Sequence, residues 1–84
     1  MSEIEKVREQ HERLLSASMN PIRRKMLQEI KNGITVDELR EKFKDLSDFE
    51  FKFNLEFLIA KGFVTKKNGE LHLTDEGVEL AYVP

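Results

Sequence analysis

The sequence predicts a mainly α-helical α+β domain that carries a small β-hairpin wing. Three observations predict it. Apolar residues recur at helical spacing in short, charged segments; a Ser or Thr followed three residues later by Glu opens two of those segments; and an Asn-Gly pair separates two β-prone runs near the C-terminus. One domain is expected of 84 residues, because two cores of half that length would each be too small to hold.

Ser2 to about Ala17 contains helix formers without Gly or Pro, and Ile4, Val7, His11 and Leu14, with Leu15 beside them, make an a/d-like stripe on an otherwise charged helix. Residues 1–18 therefore read as an N-terminal helix and 19–84 as the domain proper. Asn20 is a good N-cap and Pro21 a natural first helical residue, having no N–H to lose there. The helix that follows carries Ile22, Met26, Leu27 and Ile30 on one face and stops at Asn32-Gly33. Ile34-Thr35-Val36 is a brief extended piece. Thr35 with Glu38 makes a capping box for a short helix through Lys42, and Ser47 with Glu50 makes a second for a helix that runs to Lys61 and ends at Gly62.

Phe63-Val64-Thr65-Lys66 is β-prone. A two-residue Asn68-Gly69 turn pairs Lys67 with Glu70, Lys66 with Leu71 and Val64 with Leu73, which sets Val64, Leu71 and Leu73 on one face and Thr65 and His72 on the other. Thr74-Asp75-Glu76 caps a last helix carrying Val78, Leu80 and Tyr82. Gly33, Gly62, Gly69 and Gly77 are each assigned to a turn or a cap. Two helices joined by a tight turn and followed by a hairpin describe a winged helix-turn-helix with an extra N-terminal helix.

Composition excludes several classes of function. Fourteen Lys+Arg against 16 Asp+Glu give a net charge of −2, which is not the strongly basic profile of a non-specific nucleic-acid coat, although a local basic patch remains open. Cysteine is absent, so there is no disulfide, thiolate zinc site or Cys nucleophile. His11 reads as an interface residue of the apolar stripe and His72 as an exposed strand residue. No carboxylate–His constellation, phosphate-cradling Gly loop or nucleophile motif can be assembled, so neither an enzyme nor a metal or cofactor site is expected. No apolar run approaches the ~20 residues that span a bilayer. A small soluble cytoplasmic protein is the expectation.

Met19 to Leu73 resembles the winged-helix domain of ArsR-like transcriptional regulators, especially small archaeal ones. Ser18-Met19-Asn20-Pro21-Ile22-Arg23-Arg24-Lys25-Met26-Leu27 looks like that family's opening helix, and Thr35-Val36-Asp37-Glu38-Leu39 like its second. Leu46-Ser47, Asn54-Leu55, Leu58 and Lys61-Gly62-Phe63-Val64 resemble its recognition helix and exit, and Leu73-Thr74-Asp75-Glu76-Gly77 the segment after the wing. The resemblance implies a DNA-binding transcriptional regulator. Asp48, Phe49, Glu50, Lys52 and Phe53 stand at the positions that face the major groove in that family. Arg23 on the domain's first helix and Lys66 and Lys67 on the wing are then candidates for backbone phosphates. The stripe of Ile4, Val7, His11, Leu14 and Leu15 is the candidate dimer interface, pairing two copies about a two-fold axis.

The residues also carry an alternative. Asp and Glu repel phosphates, although a carboxylate accepts from cytosine N4, and Phe reaches only a thymine methyl. Asn54 is the one amide in the stretch suited to a base edge. Phe51, Leu55, Leu58 and Ile59 cluster as the core face of this helix; Phe57 is expected to pack under the wing or the domain's first helix, leaving Phe49 and Phe53 exposed. Such a pair is a contact surface for another protein or another copy. The charge of the exposed face discriminates: positive over the recognition helix and wing favours duplex DNA, apolar or negative favours a protein partner.

Overall fold

A computed structural model describes residues 20–31 and 33–82. The expected N-terminal helix, with Ile4, Val7, His11, Leu14 and Leu15, lies outside the described residues. Within them the order is α1 (Pro21–Ile30), β1 (Ile34–Thr35), α2 (Val36–Lys42), α3 (Asp48–Ala60), β2 (Val64–Lys67), β3 (Glu70–Leu73) and α4 (Asp75–Ala81). This is the α+β arrangement of a winged helix-turn-helix, with α2 and α3 as the helix pair and β2–β3 as the wing.

Local chemistry explains each boundary. The Asn20 side chain accepts from the amides of Ile22 and Arg23, with Pro21 in the first turn where its missing N–H is harmless. Thr35 and Glu38 form a complete capping box at α2. Ser47 accepts from the Glu50 amide, and the Glu50 carboxylate accepts from the Ser47 hydroxyl at 3.2 Å. At the far end of α3, Gly62 (φ 84°) donates to Ile59 O and Phe63 to Leu58 O, a Schellman closure that delivers the Phe63 ring to the core.

The hairpin has the expected register, Val64 with Leu73, Thr65 with His72, Lys66 with Leu71 and Lys67 with Glu70, and both turn residues take positive φ, 54° at Asn68 and 79° at Gly69. The extended Ile34-Thr35 does more than connect. It pairs antiparallel with β3, Ile34 opposite Leu71 and Thr35 opposite Glu70, giving a three-stranded sheet of order β1-β3-β2. The Val36 amide then donates to Gly69 O at 3.0 Å, tying the start of α2 to the hairpin turn. One core joins Met26, Leu27 and Ile30 of α1, Leu39 and Phe43, Phe51, Leu55 and Leu58 of α3, Phe63, Val64 and Leu71 of the wing, and Leu80 and Ala81 of α4.

One expectation changes at α4. Gly77 is neither a turn nor a C-cap: it sits inside the helix, where a Cβ would collide with the Phe63 carbonyl oxygen. This close approach sets the roll of the helix. Gly77, Leu80 and Ala81 face inward, whereas Val78 and Tyr82 are turned out to solvent.

Candidate interaction site

The recognition-helix position is held by polar ties at both of its sides. Asn54, 5% exposed, sits on the core face of α3 between Phe51 and Leu58. Its Oδ1 accepts from Asn20 Nδ2 (3.3 Å) and Arg23 Nε (3.0 Å), and its Nδ2 donates to Glu50 O (2.8 Å), so the buried amide is satisfied at both ends. The one amide suited to a base edge is thus committed to holding α1 against α3. On the other flank Arg40 donates to Phe43 O, Leu46 O and Asp48 Oδ1 at 2.6, 3.0 and 2.9 Å, stacking over Phe51 as it does so. It closes the turn between α2 and α3 and neutralises Asp48. Sequence reasoning passed over both roles. Asn54 did leave a signal, as a polar residue interrupting an apolar stripe.

The outer face of α3 is centred on Phe49 and Phe53, 75% and 53% exposed, whose rings stack at 5.8 Å between centroids and 16° between planes. Phe57 is half-buried against the core. The Arg23 guanidinium covers its ring at 3.6 Å and reaches that of Phe53 at 5.7 Å. Partial burial there lowers the Arg23 pKa, leaving a guanidinium that is still charged at neutral pH. Around the rings stand three exposed carboxylates, Asp48, Glu50 and Glu56, against the ammonium groups of Lys52 and Lys61. The face is apolar at its centre, and with Arg23 counted its carboxylates and cations balance.

The remaining candidates gather elsewhere. Lys52 and Lys66 line a groove of 380 Å³ between α2, α3 and β2, floored by Val36, Phe51, Leu55 and Ile59 and shared with Asp37 and Glu56. Lys67 is exposed opposite Glu70, whose carboxylate meets His72 Nε2 at 2.9 Å. The structure therefore brings Arg23, Phe49 and Phe53 together on one side of α3. It sets Lys52 and Lys66 together on another, with Lys67 farther along the wing. Among the described residues no group of His, Asp and Glu is placed to hold a metal ion, and no helix is long and apolar enough to cross a membrane.

Fold and site define the chain as a winged-helix module with an aromatic outer face. It belongs to a family that includes two proteins of Archaeoglobus fulgidus, both described as uncharacterized. One is 59% identical over 83 residues, covering 98% of each chain; the other is 52% identical over 81 residues, covering 95% of this chain and 92% of the relative. No protein-family model matches the chain, and no solved structure matches it.

Proposed function

We propose that the chain is a winged-helix protein-interaction module that docks a protein on the outer face of α3 through Phe49 and Phe53. The observation that carries this reading is the exposed, stacked Phe pair at the position where a DNA-reading helix would present hydrogen-bonding side chains. Phosphates gain nothing from two rings, and Glu50 and Glu56 repel them. A protein surface gains from burying both rings, which stack on each other while Arg23, seated over Phe57, reaches Phe53.

A second reading, a DNA-binding transcriptional regulator, is favoured by one observation: Lys52 and Lys66 share a groove, and Lys67 extends the positive charge along the wing. The experiment that separates the two is a salt titration on random duplex DNA, run beside co-purification of the tagged chain from its native extract. The docking reading expects Phe49→Ser with Phe53→Ser to keep the fold, lose its co-purifying protein and leave residual duplex binding unchanged. Duplex binding that Lys66→Ala with Lys67→Ala weakens for all sequences, with each lysine contributing about 0.9 to the salt slope, would establish the regulator instead.

A further inference from the structure

We propose that the occupant of the α3 face is a second copy of this chain, its α3 lying antiparallel to the first across a two-fold axis between the levels of Phe53 and Glu56. The proposal rests on the docking reading and names its partner. Successive residues advance about 100° around a helix, which places Phe49, Phe53 and Ala60 along the middle of the outer face. Lys52 and Glu56 fall on one flank, and Glu50, Phe57 and Lys61 on the other. A face-to-face, antiparallel two-fold lays each flank on the same flank of the other copy with its direction reversed.

The charges are complementary under that operation. On one flank Lys52 meets the partner's Glu56, and by symmetry Glu56 meets the partner's Lys52. On the other, Glu50 meets the partner's Lys61. Asp48 is the exposed carboxylate of α3 left over, and Arg40 already satisfies it within its own chain at 2.9 Å. In the middle, Phe49 lies over the small Ala60 of the other copy, and the two Phe53 rings flank the axis. The rings are ordered before docking, since Phe49 and Phe53 stack on each other and Arg23 covers Phe57 and Phe53, so little rotamer freedom is lost on association. Antiparallel helices also set opposite ends of their dipoles side by side.

The test is sedimentation equilibrium of the full chain at tens of micromolar, with circular dichroism to confirm folding. Wild type should report twice 9.9 kDa, and Phe49→Ser with Phe53→Ser a folded monomer. Lys52→Glu and Glu56→Lys should each raise the dissociation constant about tenfold, since each replaces two symmetry-related attractions by repulsions. The double variant Lys52→Glu/Glu56→Lys should restore wild-type association, an outcome that neither a parallel dimer nor a contact elsewhere produces. A monomeric wild type would overturn the proposal, as would a double variant no better than the single ones. So would a dimer that survives loss of both Phe and dissolves on Val7→Asp with Leu14→Asp. A monomeric wild type whose co-purifying protein still depends on Phe49 and Phe53 removes the second copy alone; one with no such dependence removes the docking reading as well.

Discussion

Asn54 is a single amide serving three partners. Removing it takes one acceptor from Asn20 Nδ2 and Arg23 Nε at a part-buried site, and the side-chain donor from the Glu50 carbonyl. Unmet polar groups of this kind outweigh the small loss of apolar contact, so Asn54→Ala should destabilise by about 2 kcal/mol. In a domain of this size that lowers the melting midpoint by roughly 10 °C, which a thermal melt followed by circular dichroism will read. A midpoint within a degree or two of wild type would show that water replaces the amide. Arg23 shows the limit of reading one residue at a time. Its place on the opening helix suggested a phosphate contact, but its partners, Asn54 and Phe57, lie more than thirty residues away, and no local pattern announces them.

At the scale of elements, what was readable was what is local. The Asn20, Thr35 and Ser47 caps and the Asn68-Gly69 turn each complete their chemistry within about four residues, so helix starts and hairpin register follow from sequence alone. The exposure of Phe49 and Phe53 follows from a helical wheel, because one face cannot hold Phe49, Phe51, Phe53 and Phe57 together. The roll of α4 does not follow, because it depends on a carbonyl fourteen residues upstream of Gly77. That contact yields a prediction with a contested sign. Helix propensity favours Ala over Gly by about 1 kcal/mol, while driving a methyl into the Phe63 backbone costs about 3 kcal/mol. Gly77→Ala should therefore lower stability by about 2 kcal/mol in urea unfolding, and a stabilised variant would mean that α4 slides freely.

For the whole molecule, the link that sequence did not announce is β1. Two residues join the helix pair to the wing, through Ile34 with Leu71 and through the Val36 amide on Gly69 O. So short a ladder spans a long stretch of chain and opens before the core does. Amide hydrogen exchange followed by NMR should find Val36 exchanging much faster than Leu58, which is fully buried on the core face of α3; equal rates would make the domain one cooperative unit. The strand order has a different consequence at the sheet's other side. β2 is an outer strand, with a partner on β3 alone within the sheet, and an outer strand is a template on which another chain can stack into an aggregate. Lys66 and Lys67 occupy consecutive positions there, pointing charge to both faces of the strand. In a crowded cell that repulsion keeps wings from adding to one another end on end. The same two lysines that invite a nucleic-acid reading thus have a duty in solubility, whichever macromolecule the protein meets.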